Sequence, residues 1–419
     1  MGEWRTVELG HLCARVTSGG TPERSRLDYY TGDLLGHPWV KSSELRDGYV
    51  RETDERISDL GLKESAAKLL PPETVLVAMY GATAGRVGFL KIGAAVNQAV
   101  CALVPDRGSA DPGFLFHVLR SRYSELAGKS AGAAQQNLNA KIIKSFPLLA
   151  PNIATQRRIT AVLSVFDELI EINERRIALL EDLARSLYRE WFVHFRSPGH
   201  EEVEFVDSEL GLIPDGWEVR AVREIARPHR RGVKPALEAE AEFEHFSIPA
   251  FDRSRLPEFE RGGTIRSGKQ AIDGECVLLS KINPRIERVW FAVPTTRRGV
   301  ASTEFLVWAG VEASNAWLWA MFSGDTFQRW LLGVSGGTST SHQRVKPQDV
   351  EAHVLPFAPP ELREAFDRLA TPALRQVGAL RQRNRTLAAT RDLLLPRLVT
   401  GQLDISDVDL GALLAADAA

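Results

Sequence analysis

The sequence predicts an α+β protein with two similar α+β domains, separated by two long antiparallel coiled-coil helices and related by an internal pseudo-two-fold repeat. Three observations lead to this prediction. Segments of the chain recur roughly 200 residues apart, which is far longer than a solenoid repeat. Each copy mixes short apolar runs with turn residues, and each copy ends in a long charged segment that is nearly free of glycine.

The repeat is visible along most of the chain. The matched pairs are Trp4 with Trp217, Val75-Leu76-Val77 with Val277-Leu278-Leu279, Arg86-Val87 with Arg288-Val289, Phe89 with Phe291, Ser130-Ala131-Gly132 with Ser335-Gly336-Gly337, and Leu187 and Arg189 with Leu395 and Arg397. We therefore divide the chain into a first head (residues 1–151), a central helix (152–198), a second head (199–359), a C-terminal helix (360–403) and a tail (404–419).

Within each head, short apolar runs predict buried strands and helices. Residues 74–78, 96–104, 275–279 and 307–309 are predicted as strands, and residues 114–119 and 316–331 as helices. Glycine- and serine-bearing segments between them predict loops.

Both long segments show the 3.5-residue apolar spacing of a coiled-coil seam. The central helix places Ile159, Leu163, Phe166, Ile170, Asn173, Ile177, Leu180 and Leu187 in the seam. The C-terminal helix places Leu380, Asn384, Leu387 and Leu394 there, with Leu369 nearer its start. Two such stripes in one chain most simply pack against each other, and lone asparagines in a seam fix its register. Two helices lying on separate domains would be the alternative.

The loops of the two heads carry side chains suited to DNA. Serine, threonine and backbone N–H groups contact phosphate, while glutamine, asparagine, arginine and lysine pair with base edges. We predict DNA contacts from Ser18, Gly19, Gly20, Thr21, Tyr80, Arg86, Gln135 and Gln136 in the first head, and from Lys281, Arg285, Arg288, Thr338, Ser339, Thr340, Ser341, His342 and Gln343 in the second. Ordinary surface turns would have a similar composition.

Several function classes are disfavoured. The net charge of −2 argues against uniform positive charge, although basic residues cluster between Arg223 and Lys234 and along the C-terminal helix. Three scattered cysteines form no CxxC pair, so we expect neither a zinc site nor a disulfide scaffold. We find no catalytic constellation and expect no catalytic or metal site. With no signal peptide and no apolar run long enough to span a bilayer, we expect a cytoplasmic protein.

Four motifs together resemble the specificity (S) subunit of type I restriction–modification systems. They are Trp4 through Leu9-Gly10 to Ser18-Gly19-Gly20-Thr21-Pro22, then Gln156-Arg157-Arg158-Ile159, then Leu210-Gly211-Leu212-Ile213-Pro214-Asp215-Gly216-Trp217, and finally Leu394-Leu395-Pro396-Arg397-Leu398-Val399-Thr400-Gly401-Gln402-Leu403. The resemblance covers essentially the whole chain. It departs from the family at Thr155, where an acid is common, and in the C-terminal helix, which keeps only Leu362-Arg363-Glu364 at the matching place.

The resemblance implies a sequence-specific DNA-recognition subunit that is not itself an enzyme. Each head would be a target-recognition domain reading one half of a bipartite site in double-stranded DNA, and the helices would set the spacer and dock two methyltransferase (M) subunits. Two restriction (R) motor-nuclease subunits would join the complex. This chain would hold no cofactor, because S-adenosylmethionine would be bound by M, and ATP and magnesium by R.

Three other functions remain open from the sequence. A stand-alone two-headed DNA-binding regulator is the main alternative, although the long helix seams exceed what a regulator needs. A cryptic nuclease or methyltransferase with degenerate motifs, and a coiled-coil scaffold without a nucleic-acid role, are the others.

Overall fold

The chain folds into two units, each described separately below. The computed structural model describes residues 4–129, 137–336 and 343–403. The first unit comprises Met1–Leu169 with Leu387–Ala419, and the second comprises Ile170–Thr386. Both unit boundaries fall within the two long helices, so each unit contains one head and a segment of each helix.

The first head is built from eleven short strands and four short helices among its described residues. The strands are β1 (Arg5–Glu8), β2 (Cys13–Ser18), β3 (Tyr30–Thr31), β4 (His37–Val40), β5 (Gly48–Val50), β6 (Glu55–Ile57), β7 (Val75–Ala78), β8 (Val87–Leu90), β9 (Ala95–Val96), β10 (Val100–Pro105) and β11 (Pro147–Ala150). The helices are α1 (Asp59–Lys63), α2 (Pro112–Ser121), α3 (Tyr123–Gly128) and α4 (Ala140–Lys144), and the long helix α5 (Ile153–Tyr188) follows.

Strand β7 shows how this head forms its core. Every residue of its Val-Leu-Val-Ala run is buried. Because side chains alternate across a strand, Val75 and Val77 join one apolar cluster and Leu76 and Ala78 join another. The central sheet, in the order β2-β10-β7-β8-β5, is therefore covered on both faces. A second sheet has the order β3-β6-β4-β9, and β1 pairs with β11.

The second unit contains a similar but larger set of elements. Its strands are β12 (Phe205–Ser208), β13 (Gly211–Pro214), β14 (Glu218–Ala221), β15 (Ala226–His229), β16 (Gly232–Val233), β17 (Glu242–Phe246), β18 (Glu258–Arg261), β19 (Lys269–Ile272), β20 (Cys276–Ser280), β21 (Val289–Ala292), β22 (Gly299–Ser302), β23 (Phe305–Gly310) and β24 (Val354–Phe357). Its helices are α6 (Val222–Ile225), α7 (Ile248–Ser254), α8 (Asn315–Ser323), α9 (Asp325–Val334), α10 (Pro347–Ala352) and the long α11 (Pro360–Val399).

The central sheet and the terminal strand pair of the second head share the strand order of the first, whereas the second sheets differ, with four strands in the first head and five in the second. The sheet β15-β23-β20-β21 corresponds to β2-β10-β7-β8, and the pair β14-β24 corresponds to β1-β11. In each second sheet, one parallel pair occurs at the equivalent place, β4 with β9 and β17 with β22. The predicted α+β class is shown in so far as helices and strands are mixed in both heads, and the internal repeat of the heads is seen in the strand order of their central sheets. The arrangement of the heads around the helices, and the five segment boundaries, stay predictions.

The long helices contribute to the core of each unit. In the first, Ile159 and Leu163 of α5 join the same buried cluster as Leu395 and Leu398 of α11. In the second, Ile177 clusters with Val377 and Leu380, with Leu180 packed against them. The predicted seam side chains Phe166, Ile170, Leu187, Leu387 and Leu394 are partly buried.

Polar contacts also join α5 to α11 within the second unit. Asn173 Nδ2 donates to Asn384 Oδ1 at 2.8 Å, and Asn384 Nδ2 donates to the Ile170 carbonyl at 3.2 Å. Further along, the rings of Tyr188 and Phe366 lie 6.4 Å apart. Since later residues of α5 meet earlier residues of α11, the two segments of this unit run antiparallel.

One seam position was predicted wrongly. Leu369 is 50% exposed, whereas Ala370 and Leu374 are buried in the core of the second unit. A helix has 3.6 residues per turn, so its buried stripe moves between neighbouring positions from one turn to the next. At this turn the buried position is Ala370 instead of Leu369, whereas Phe366, Ala373 and Val377 on either side are buried.

Candidate nucleic-acid interface

In the first head, the predicted DNA-contacting loops meet at one end of the central sheet. Strand register places Cys101 opposite Ser18 and Val100 opposite Ala78. The end of β2, the end of β7 and the start of β10 therefore lie side by side, and we call this the first loop end. Backbone bonds tie it together, with Met79 N–H donating to the Ala99 carbonyl at 2.8 Å and Leu138 N–H to the Met79 carbonyl at 2.9 Å.

The second head has the same loop end, formed by the ends of β15 and β20 and the start of β23. Lys281 N–H donates to the Glu304 carbonyl at 3.0 Å, and Val345 N–H donates to the Lys281 carbonyl at 2.9 Å. Asn283 N–H donates to the Gln343 carbonyl at 3.1 Å. The Val345 bond to Lys281 corresponds to the Leu138 bond to Met79, so the segment before the final strand of each head is anchored at the same place.

Several predicted contact residues are available to solvent at these loop ends. Ser18, Tyr80 and Arg285 are exposed. Thr21, Lys281 and Gln343 are half-buried, and Thr21 donates a hydrogen bond to the side chain of Gln98. The predicted contacts at Gln135, Gln136, Thr338, Ser339, Thr340, Ser341 and His342 lie outside the described residues.

Gly19 and Gly20 are required by packing inside the protein, not by approach to a ligand. A Cβ on Gly19 would lie 1.9 Å from the Val96 carbonyl oxygen, and one on Gly20 would lie 2.4 Å from the backbone of Ala66. Gly20 also accepts a hydrogen bond of 3.1 Å from Nε1 of the buried Trp39. Gly19 and Gly20, which were predicted to contact DNA, therefore allow close packing of this loop against the rest of the first head.

The equivalent arginines Arg86 and Arg288 are held by carboxylates. Arg288 is 7% exposed, and its Nε and Nη2 donate to Asp252 at 2.6 and 2.8 Å. Burial of Arg288 corrects the expectation that it projects from an exposed loop. Arg86 is paired with Asp47, whose hydrogen bond raises the pKa of the guanidinium, and Arg86 also lies 4.6 Å above the ring of Tyr123. Both arginines therefore brace the turn that follows the central strand.

Part of the basic stretch of the second head lies against neighbouring acids. His229 Nε2 lies 3.0 Å from Asp273, Arg231 pairs with the same carboxylate, and Arg230 pairs with Glu351. The exposed cation that the sequence reasoning missed is Arg344, which is 61% exposed and lies 3.2 Å from Glu304. Within the sequence, only its position next to Gln343 indicated that Arg344 could contact DNA.

A metal site requires grouped metal-ligating side chains, and a thiolate site requires a cysteine thiol that ionises near neutral pH. They contain no group of three or more His, Cys, Asp or Glu side chains placed to hold a metal ion. Burial raises the pKa of the Cys101 and Cys276 thiols to about 12, so neither is a thiolate near neutral pH. No helix in the described part of the chain is long and apolar enough to cross a membrane.

Comparison with known proteins agrees with this architecture. A family model described as the type I restriction modification DNA specificity domain matches residues 1–182. The specificity subunit of the type I restriction enzyme MjaIX from Methanocaldococcus jannaschii is 24% identical over 97% of this chain and 95% of that protein. The EcoR124I/EcoR124II specificity subunit from Escherichia coli is 25% identical over 43% of this chain and 47% of its own length.

A solved structure also shares the fold. The S subunit of a type I restriction–modification system from M. genitalium aligns over 95% of this chain and 96% of its own, with a TM-score of 0.62 and 14% sequence identity. Residues 1–182 therefore match a type I restriction modification DNA specificity domain, and the chain as a whole is similar in sequence to type I restriction enzyme specificity subunits and shares the fold of one of them.

Proposed function

We propose that this chain is the DNA-recognition subunit of a type I restriction–modification complex, with each head reading one half of a bipartite target in double-stranded DNA. The two long helices set the spacing between the half-sites and dock two methyltransferase subunits, and two restriction subunits complete the assembly. The chain supplies recognition and no chemistry. S-adenosylmethionine is held by the methyltransferase subunits, and ATP and magnesium by the restriction subunits.

The repeated loop end is the observation that supports this proposal best. The central sheets of the two heads share one strand order and present corresponding loops at the same end, yet the side chains differ, with Tyr80 and Thr21 in one head and Lys281 and Arg285 in the other. A shared scaffold with different loop side chains suits two readers of different sequences, because base-edge contacts specify sequence whereas the scaffold positions them.

The stand-alone regulator has no observation in its favour. The similarity to specificity subunits runs through both heads and both helices. A regulator would need neither the central helix motif nor its counterpart near the C-terminus.

Mapping methylated adenines across the genome tests the recognition role. Deleting this gene should remove methylation at one split motif, and returning the gene should restore it. Methylation that is unchanged by the deletion would contradict the proposal.

Two rearranged chains separate the roles of heads and helices. Replacing residues 1–151 with the corresponding head of another specificity subunit should change one half-site only. Inserting one helical repeat of seven residues near Asp182 should change the spacer and leave both half-sites intact, because about seven residues keep the same helix face toward the partner. An insertion that altered a half-site without altering the spacer would contradict this assignment.

A further inference from the structure

A cavity of about 600 Å³ lies in the second unit, between the end of α5 and the junction of α8 with α9. This volume is in the range of small-molecule sites. Its lining comes from the turn after α5, the hairpin of β12 and β13, and the residues around Ser323. None of the predicted DNA-contacting residues lines it.

We propose that this cavity binds a small organic anion, with a phosphate or carboxylate group at the N-terminus of α9 and an apolar body against the end of α5. Three independent features of the lining support this assignment. They are an uncapped helix end with a buried hydroxyl group, an excess of positive charge, and an apolar wall.

The anion end of the cavity is formed where α9 begins. This helix has ten residues, and its N-cap is Gly324, which makes no side-chain capping bond. The N–H groups of a first helical turn have no partner within the helix and carry partial positive charge. Beside them, Ser323 is 3% exposed and lines the cavity, and its Oγ has no hydrogen-bond partner among the described residues. A buried hydroxyl group normally has a partner.

The charged side chains of the lining are mostly arginines. Arg185, Arg189 and Arg329 line the cavity against a single carboxylate, Asp325. Arg329 contacts no carboxylate among the described residues, and its Nε donates to the Asp325 carbonyl at 3.3 Å. Arg185 Nη2 lies 3.4 Å from Glu287, but its buried Nε has no partner in the described part of the chain. Arg189 Nε also lies 3.9 Å from Glu190, which is outside the lining, so the excess of positive charge is a property of the lining itself, and it favours an anion there.

The other wall of the cavity is apolar. Tyr188, Phe192 and Phe327 are buried and line it, while Leu212 stands at the lining with 61% of its surface exposed. Residues Arg189–Val193 form a π-helical turn, in which His194 N–H donates to the Arg189 carbonyl at 2.9 Å. Such turns recur at functional sites in proteins, because the extra residue redirects the side chains around it.

Calorimetric titration of the full-length chain with four probes tests the ligand class. Naphthyl phosphate and naphthoate carry both an anionic group and an apolar ring, naphthol lacks the charge, and inorganic phosphate lacks the ring. We expect either or both of the two amphipathic anions to bind measurably, and the tighter of them identifies the headgroup. Naphthol and inorganic phosphate should bind at least about tenfold more weakly, because naphthol lacks the anionic group and phosphate lacks the apolar ring. Naphthol binding as tightly as the anions, or no binding by either anion, would overturn the proposal.

Three substitutions locate the binding within the molecule. Ser323→Ala and Arg189→Gln should each weaken the preferred anion about tenfold, as expected for a lost hydrogen bond to a charged group. Asp325→Asn should strengthen it severalfold, because the variant removes the one carboxylate of the lining.

Matched controls are Ser335→Ala at the other end of α9 and Arg176→Gln on α5, neither of which lines the cavity. Both should bind like the unaltered chain. Affinity that is the same in all three test variants as in the controls would overturn the placement of the site, and unchanged melting temperatures without ligand show that the variants are folded.

Discussion

At the scale of single residues, each loop end contains an arginine–aspartate pair whose two partners are far apart in the sequence, so that no local sequence pattern predicts it. Arg288 and Asp252 are separated by 36 residues, and Arg86 and Asp47 by 39. The repeat predicted that the two arginines were equivalent, and the structure agrees. Their pairing was not predicted, because arginine in a loop suits both DNA contact and internal pairing, and the partner carboxylates are distant in sequence. Composition predicted the loops, but not which side chains turn inward.

The Arg288 pair gives the first prediction. Asp252→Asn should lower the free energy of unfolding by about 1–3 kcal/mol, because it weakens two hydrogen bonds to a buried guanidinium. Urea denaturation checks the value. Asp207→Asn, at an exposed position in β12, should change it by less than about 0.5 kcal/mol. Equal effects of the two substitutions would contradict a structural role for the pair.

His117 gives a prediction about pH. Burial lowers its pKa to about 3 from 6.5, although Asp167, 3.9 Å away, opposes the shift. Above pH 6.5 the ring is neutral in both states and adds no pH dependence. Between pH 6.5 and about pH 3 the His117 ring is protonated in the unfolded chain but stays neutral in the folded chain. This group therefore lowers the free energy of unfolding as the pH falls through that window.

The measurement is the urea midpoint at about pH 7 and about pH 5, taken for the unaltered chain and for His117→Leu. The loss of stability between the two pH values should be smaller in the variant. His11→Gln, at an exposed position, should keep the full loss. A pH dependence that is identical in His117→Leu and the unaltered chain would show that another group is responsible.

At the scale of elements, the apolar pattern of the sequence predicted the long helices and the fully buried strands. The long helices show the 3.5-residue repeat over many turns, and the buried runs of β7 and β20 lie within one residue of the predicted strands. The second sheet of the first head was not predicted, because strands such as Tyr30–Thr31 and Glu55–Ile57 are too short and too polar to show an alternating pattern. Partners in the fold, rather than intrinsic preference, make these segments strands.

The asparagine pair of the helix seam gives a prediction at this scale. Asn173→Leu or Asn384→Leu alone should destabilise the second unit by about 1–3 kcal/mol, because the remaining buried amide loses its partner. The double substitution should recover most or all of that loss, since a leucine pair buries apolar surface without an unpaired group. A double-mutant cycle of urea midpoints measures the coupling, and strictly additive losses would exclude it.

At the scale of the whole molecule, the core of the first unit is shared between the two ends of the chain. Leu395, Leu398 and Val399 are at most 5% exposed and belong to the cluster that includes β7 and α2. The second unit takes no residue from beyond Thr386. The repeat indicated two similar domains, but sequence alone could not show which helix segment completes which core.

This division predicts the effect of shortening the chain. Ending it after Thr386 should destabilise the first unit by several kcal/mol, because burial of each leucine side chain contributes about 1.5–3 kcal/mol. Hydrogen exchange should therefore accelerate at Val75–Ala78 and stay slow at Cys276–Ser280. Ending the chain after Leu403 is the control and should preserve protection in both strands. Equal loss of protection in both heads would contradict the division.

The same sharing of the core sets an order of events on the ribosome. The first head is synthesised first, yet the last residues of its core are translated more than two hundred positions after the start of its long helix. At elongation rates of about 5–20 residues per second, the nascent first head waits on the order of ten seconds or more before the last residues of its core are synthesised. The second head, encoded later, can finish first. The head that is synthesised first is thus the last to complete its core. The N-terminal head is therefore the one that nascent-chain chaperones would have to shield.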